Sequence, residues 1–133
     1  MKRIMLSRVL FALAAVYDLL LGIAFLAVPW LLFERFAVTP PNHWGYVQFP
    51  AALLIVFALM FLAIAADPVG NRNLIPYGIG LKVAYVAVSA TYWFGPGIPD
   101  MWKPFTVADL VMLVLFAWAW VALGRPKVPA PEG

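Results

Sequence analysis

The chain has 133 residues, of which 65% are hydrophobic and 11% are charged, and its mean hydropathy is +0.94. Soluble domains carry about a quarter charged residues, so this composition excludes a soluble globular protein and indicates a chain that mostly faces lipid. The absence of cysteine excludes disulfides, thiolate nucleophiles, iron–sulfur clusters and cysteine-containing zinc sites. The net charge of +3 lies mainly in short flanks, which is typical of topology signals and not of a nucleic-acid surface.

Four apolar runs follow one another along the chain, over residues 9–33, 47–66, 74–94 and 105–123. Each is close to the roughly 20 residues that an α-helix needs to cross a hydrocarbon core about 30 Å thick. Segments rich in proline, glycine and asparagine separate the runs as turns. The sequence therefore predicts an all-α fold, an antiparallel bundle of four transmembrane helices, in a single domain over residues 1–124. The proline-rich residues 125–133 are predicted to form a disordered cytoplasmic tail.

Prolines and one asparagine mark the predicted helix starts. Pro50, Pro76 and Pro104 each fall near the beginning of an apolar run, where the missing N–H costs little. Asn73 is placed to cap the third helix. The first run begins like a secretory leader but continues past Asp18 without a small-residue cleavage site at its end, so we expect an uncleaved first helix.

The positive residues divide unequally between the two sides of the predicted bundle. One side has only Arg35 and Lys103, whereas the side with both chain ends has a larger group: Lys2, Arg3, Arg8, Arg72, Arg125 and Lys127. This bias predicts that both termini are cytoplasmic. Aromatic residues cluster at the opposite ends of the helices, where we expect them to anchor the bundle among lipid headgroups: Trp30, Phe33, Phe36, Trp44, Tyr46, Tyr92, Trp93, Trp102 and Phe105.

Three ionisable residues interrupt the apolar runs: Asp18 in the first helix, Lys82 in the third and Asp109 in the fourth. A charge near the bilayer centre costs about 2.5–3.5 kcal/mol on insertion scales, so each should face the bundle interior and have a partner. At about 1.5 Å per residue, Asp18 and Lys82 lie at similar depth and Asp109 lies nearer the outer side. The spacing predicts a buried Asp18–Lys82 ion pair, with Asp109 as a second acceptor.

The faces that carry these charges suggest which helices meet. The third helix is small or polar at each step of this face: Gly78, Lys82, Tyr85, Ser89 and Tyr92. The face of the first helix around Asp18 has Ala14, Ala15 and Gly22, which allow a neighbouring backbone to approach closely. We therefore expect the first and third helices to pack together. The candidate ligand-binding or structural cluster comprises Asp18, Lys82, Tyr85, Ser89 and Asp109.

Two interpretations of this cluster remain open. In the first, the charges satisfy one another and specify how the helices assemble, without chemistry. In the second, they line a small polar cavity that binds a ligand headgroup or passes a proton, as ionisable groups inside membranes do. The only histidine, His43, lies in an outer loop, and the sequence has no catalytic triad, phosphate-binding loop or HExxH motif. Neither a metal site nor an enzymatic activity is predicted.

Short motifs in a fixed order suggest a family. They are Tyr17-Asp18 with Gly22, Pro29, Asp67-Pro68, Gly80-Leu81-Lys82 and Ala108-Asp109-Leu110. In this order, over most of its length, the chain resembles the small four-helix bacterial membrane proteins grouped as DoxX-like. The resemblance implies an inner-membrane bundle, associated in some relatives with quinone-linked sulfur oxidation or oxidative-stress systems. Asp18, Lys82 and Asp109 occupy the matched positions, and the resemblance implies no catalytic role for them.

Three function classes follow. The first is a non-enzymatic accessory subunit of a larger membrane complex. The second is a small proton-coupled exporter that works as a homodimer, although Lys82 beside Asp18 is unfavourable for a carboxylate that must exchange protons freely. The third is a lipid or quinone binder, in which Lys82 and Tyr85 donate hydrogen bonds to a carbonyl headgroup in a lipid-accessible crevice beside the third helix. The expected partners are membrane lipids, a larger complex or a second copy of the chain, without nucleic acid, and quinone is the one cofactor considered.

Overall fold

The computed structural model describes residues 1–124, and all regular secondary structure in that range is helical. The helices are α1 (Lys2–Ala27), α2 (Pro29–Arg35), α3 (Gly45–Ala66), α4 (Ile75–Trp93) and α5 (Lys103–Leu123), with 3-10 turns at Arg72–Leu74 and Asp100–Trp102. Four of them, α1, α3, α4 and α5, are long and apolar enough to cross a membrane. The all-α class and the presence of four helices long and apolar enough to span a membrane are confirmed, whereas the predicted tail, 125–133, lies outside the described residues.

The four long helices pack as two antiparallel pairs. Helix α1 lies along α3, so that Phe11 near the start of α1 contacts Phe61 near the end of α3. Helix α4 lies along α5, and Thr106 near the start of α5 donates a hydrogen bond of 3.0 Å to Ser89 near the end of α4. Contacts between α1 and α5 join the two pairs.

The expected close packing of the first and third membrane helices is wrong. The small face of α1 is buried as predicted, but its neighbour is α3. A side chain on Gly22 would place Cβ only 2.8 Å from the carbonyl oxygen of Ala51, which shows how closely the two backbones approach. Small residues permit close approach by any neighbour, so this face could not identify its partner. Helix α4 reaches α1 through the long side chain of Lys82.

The helix starts agree with the proline signals at two positions and differ at a third. Pro76 and Pro104 lie in the first turns of α4 and α5, as predicted. Pro50 lies inside α3, because that helix already begins at Gly45. Lacking an N–H, Pro50 leaves the carbonyl of Tyr46 without its intrahelical donor.

Asparagine caps a different helix end from the one expected. Helix α4 has no side-chain cap, so the predicted role of Asn73 is wrong. Asn71 instead donates from its side-chain amide to the carbonyl of Ala63 at 2.8 Å, which satisfies the end of α3.

The first apolar run is divided into two helices, because α1 ends at Ala27 and Pro29 starts α2. Gln48 donates to the freed carbonyl of Leu26 at 3.1 Å.

Three phenylalanines fill the bundle near the ends of α1 and α5 that carry the chain termini. The rings of Phe11 and Phe116 stack with centroids 4.7 Å apart, and Phe61 lies 5.2 Å from Phe116. None of the three is exposed. At the same end, the guanidinium of Arg72 lies 3.6 Å from the ring centroid of Trp120 and donates two hydrogen bonds to its carbonyl. We call this part of the bundle the sealed half.

Candidate functional site

The three ionisable residues of the membrane helices meet in one buried cluster. The ammonium of Lys82 donates to both carboxylate oxygens of Asp18, at 3.0 and 3.2 Å, and to Oδ1 of Asp109 at 3.1 Å. Lys82 is fully buried, and the two aspartates are 1% and 7% exposed. The predicted ion pair is therefore present, with Asp109 as the predicted second acceptor. We call Asp18, Lys82 and Asp109 the charged cluster.

The two aspartates of the charged cluster differ in how many of their carboxylate oxygens accept hydrogen bonds. A lysine ammonium has three donors, and within residues 1–124 its hydrogen-bond contacts are all with the two carboxylates. Asp109 uses only Oδ1 in this way, and its Oδ2 accepts no hydrogen bond from residues 1–124. The expectation that Lys82 donates to a carbonyl headgroup is therefore not supported by this arrangement. The cluster presents a carboxylate oxygen, and not an ammonium proton, to a ligand.

A cavity of about 380 Å³ lies directly against the charged cluster. Asp18 and Asp109 form part of its wall, and the other lining residues are mostly apolar or aromatic: Tyr17, Leu21, Phe25, Tyr46, Val47, Pro50, Ala51, Leu53, Leu54, Phe57, Leu81, Tyr85, Trp102 and Phe105. All four long helices contribute. We call it the lateral cavity, and the part of the bundle that contains it the open half.

The lateral cavity opens along α3. Tyr46 and Leu53, which line it, are 70% and 40% exposed, so they mark its mouth. One side of α3 packs on α1, whereas the contact between α3 and α4 is slight and includes Phe61 against Gly78 in the sealed half. Away from that contact, α3 and α4 leave room for the cavity. The mouth of the cavity therefore lies on the side of the bundle, beside α3, which is one of the four candidate spans.

Aromatic side chains close the open half toward the loops. The ring of Trp102 lies 5.5 Å from Phe25 and 5.9 Å from Phe33, and Phe33 lies 5.1 Å from Trp44. Phe33, Trp44 and Trp102 were expected to belong to a headgroup belt, but Phe33 is buried and Trp102 lines the cavity. We call the rings of Phe25, Phe33, Trp44 and Trp102 the aromatic roof. The aromatic roof separates the lateral cavity from the loops, and the mouth of the cavity opens at the side of the bundle.

Tyr85 and Ser89, the other predicted site residues, connect α4 to Trp102 of the aromatic roof and to α5 by hydrogen bonds. The hydroxyl of Tyr85 donates to the carbonyl of Trp102 at 3.1 Å, and Ser89 accepts from Thr106 and donates to the Tyr85 carbonyl at 2.7 Å. Tyr85 lines the lateral cavity, whereas Ser89 lines a smaller neighbouring hollow with Tyr92. Tyr85 shares the cavity wall with Asp18 and Asp109, and neither Tyr85 nor Ser89 bonds to the charged cluster.

One polar residue of the site was not among the predicted site residues. Tyr17 precedes Asp18 and lines the lateral cavity, and its ring centroid lies 5.5 Å from the Lys82 ammonium. Its hydroxyl is buried and has no hydrogen-bond partner within residues 1–124. Tyrosines of membrane helices commonly lie at the level of the headgroups, but Tyr17 lies at the depth of Asp18. This depth could have identified it as a site residue from the sequence.

No group of three or more histidine, aspartate or glutamate side chains that could hold a metal lies in the described part of the chain. His43 accepts a hydrogen bond from the backbone of Gly45 at 2.9 Å and contacts Tyr46, so it stabilises the turn before α3.

Comparison of the chain with protein-family models, curated proteins and solved structures found no match. The geometry of the four-helix bundle and its lateral cavity must therefore carry any functional argument.

Proposed function

We propose that this multi-pass membrane protein binds a lipophilic small molecule in the lateral cavity and has no catalytic chemistry of its own. The observation that carries the proposal is the cavity itself, about 380 Å³ of largely apolar space with two carboxylates at one wall. Ligand sites commonly have this form, an apolar pocket with a few polar groups that orient the ligand. The lateral mouth suits a molecule that arrives from the lipid.

Passage of a substrate across the bundle has less support. Phe11 and Phe116 lie seven residues from Asp18 and Asp109, an offset of about 10 Å along their helices, and Phe61 of the same layer lies 5.8 Å from the Lys82 ammonium. The three rings of this layer have no exposed surface. A proton-coupled exporter needs access from both sides, whereas the cavity reaches the cluster from one half. Binding without transport therefore remains the better-supported function.

The cellular setting is part of the same proposal. We place the protein in the bacterial inner membrane with both termini cytoplasmic, because lysine and arginine concentrate beside the chain ends. The order of motifs that resembles DoxX-like proteins supports the same setting. In it, the bundle acts as a ligand-binding accessory unit, alone with lipids, as a homo-oligomer or within a larger membrane complex.

Native mass spectrometry of the protein purified in mild detergent tests the binding function. Leu54 lines the lateral cavity, and Leu54→Trp fills part of it. Leu59→Trp on the same helix is the matched control, because Leu59 is 59% exposed and does not line the cavity. We expect wild type and Leu59→Trp to retain a lipophilic molecule that Leu54→Trp loses.

Retention of the same molecule by all three proteins would show that it binds the outer surface and would contradict the proposal. The absence of any retained molecule from wild type would also contradict it. The thermal unfolding temperature of each variant, measured in the same detergent, identifies loss of the fold. Lys82→Met provides a further comparison, since it removes the ammonium shared by the two carboxylates of the wall without filling the cavity.

A further inference from the structure

We propose that the lateral cavity selects lipophilic molecules that carry one positive charge on a protonated amine, which binds against Asp109. This inference rests on the proposed binding function and names the class of ligand. Three features of the structure support it: the charge balance of the cluster, the free oxygen of Asp109 and the aromatic walls.

The charge balance favours a cation. Asp18 and Asp109 share a single ammonium, that of Lys82, and the lateral cavity has no other lysine, arginine, aspartate or glutamate among its described lining residues. The two carboxylates therefore exceed the ammonium by one negative charge. An uncompensated charge at this depth costs about 2.5–3.5 kcal/mol on insertion scales, so the cluster gains by acquiring one positive charge. A proton on one carboxylate or a ligand ammonium can supply that charge, and only the ammonium also fills the cavity.

The available hydrogen-bonding groups suit a donor. Oδ2 of Asp109 is an acceptor without a partner in residues 1–124, on a residue that is only 7% exposed and that lines the cavity. Lys82 is fully buried, does not line the cavity and directs its ammonium at the carboxylates, and the hydroxyl of Tyr85 donates to the carbonyl of Trp102. A quinone carbonyl, which only accepts, would have to bind the hydroxyl of Tyr17 or the donors of Tyr46 and Trp102, and it would leave the free Asp109 oxygen unpaired. A protonated amine donates to Asp109 in a charge-assisted hydrogen bond, which is stronger than a neutral one.

The walls suit the same group. Aromatic rings of Tyr17, Phe57, Tyr85 and Phe105 line the cavity near the cluster. The face of an aromatic ring attracts a cation that lies within about 6 Å of its centroid, and the attraction increases in a water-poor site. Lys82 already makes this contact with Tyr17 at 5.5 Å. The remaining volume, about 380 Å³, holds at least about a dozen non-hydrogen atoms of the size of a water molecule.

A set of probes with one skeleton and three charges tests the inference. The probes are 4-phenylbutylamine, which is cationic at pH 7, the neutral 4-phenylbutan-1-ol and the anionic 4-phenylbutyrate. Each is titrated calorimetrically into the protein in phosphatidylcholine nanodiscs, and empty nanodiscs correct for partition into lipid. We expect the amine to bind at least about tenfold more tightly than the alcohol, and the acid to bind most weakly.

Two substitutions of aspartate by asparagine locate the effect. Asp109→Asn should lower amine affinity to that of the alcohol and leave alcohol affinity unchanged, because the shape of the cavity is kept. Asp100→Asn is the matched control, since Asp100 is a carboxylate on the loop side, 93% exposed in its side chain and outside the cavity. It removes the same charge from the protein and should leave both affinities within about twofold, since an exposed charge is largely screened.

The outcomes separate the two proposals. Equal affinities for amine and alcohol in wild type, both abolished by Leu54→Trp, would overturn the charge selectivity and retain the binding site. No binding of any probe above empty nanodiscs would overturn both. An amine preference that persists in folded Asp109→Asn would also contradict the inference. Where Asp109→Asn does not fold, the order of the three wild-type affinities decides.

Discussion

In the sealed half, the rings of Phe11, Phe61 and Phe116 meet in one buried layer, whereas in the open half the rings of Phe25 and Trp102 stack above the lateral cavity. Both halves are rich in aromatic residues. They differ in what lies opposite the rings. Gly78 on α4 lets Phe61 of α3 approach, whereas farther along these two helices the bulk of Tyr85 and Phe57 holds space between them.

The charged cluster lies at the boundary between the halves. Lys82 contacts the sealed half through Phe61, whose ring centroid is 5.8 Å from the ammonium, and contacts the open half through Tyr17 at 5.5 Å. The cluster links α1, α4 and α5 where the close packing of the sealed half ends. The comparison indicates that aromatic packing fills the sealed half, where Arg72 also donates hydrogen bonds to Trp120, and that the open half depends more on polar contacts.

The largest effect is expected from removing the ammonium that links the helices. Lys82→Met leaves two buried carboxylates without their cation, and loss of one partner of a buried ion pair costs about 3–5 kcal/mol. The free energy of unfolding, measured by SDS titration in mild detergent, should fall by about that amount. The reason is the unpaired charge and not the lost side-chain volume, since methionine fills a similar space.

A triple variant separates these two causes. Asp18→Asn and Asp109→Asn, combined with Lys82→Met, remove the carboxylate charges together with the ammonium. Most of the lost stability should return, because replacement of a whole buried ion network is often nearly neutral. If the triple variant is as unstable as Lys82→Met alone, the cluster does not act through its charges and the role given to it at the boundary is wrong.

The charged cluster was predictable because depth along a membrane helix follows directly from residue number. Asp18, Lys82 and Asp109 are too costly in lipid to point outward, so similar depth was enough to bring them together. The lateral cavity was not predictable in this way. Its mouth is formed by α3, where Tyr46 and Leu53 carry no charge whose cost would fix their direction.

The pairing of the helices was only partly accessible from the sequence. The turns between consecutive apolar runs predicted antiparallel neighbours, and the pairs α1 with α3 and α4 with α5 have that orientation. The small face of α1 indicated close packing but not with which helix, since Ala14 and Gly22 fit any backbone. The break before Pro29 and the internal position of Pro50 depend on where each helix begins, which residue preferences locate only within a few positions.

A smaller effect should distinguish the packing of the two halves. Phe116 is fully buried between Phe11 and Phe61, whereas Phe105 is half-buried and borders the cavity. Phe116→Ala should lower the free energy of unfolding by roughly 3 kcal/mol, the low end for buried phenylalanine, because the unfolded helices remain in an apolar medium. Phe105→Ala should cost less than half of that, since part of its ring already lacks packing partners.

Both variants are measured by the same SDS titration, and ligand retention provides the second readout. Phe105→Ala enlarges the lateral cavity and should change which molecules are retained, whereas Phe116→Ala should not. Equal losses of stability from the two substitutions would mean that the open half is packed as tightly as the sealed half, which would contradict the comparison.

The smallest effect concerns the glycine that lets α3 and α4 meet. A Cβ on Gly78 would lie 2.7 Å from the ring of Phe61, and this ring is held between Phe11 and Phe116 and cannot move freely. Gly78→Ala should therefore cost about 1–3 kcal/mol through overpacking. Gly80→Ala, two residues along the same helix, is the matched control because its Cβ would meet nothing within 4 Å. It should be neutral or slightly stabilising, since alanine favours helix more than glycine does. The free energies of unfolding of the two variants are compared by SDS titration. If Gly78→Ala is as stable as Gly80→Ala, the sealed half has room for a methyl group. Its close packing would then not depend on the approach of Phe61 to α4.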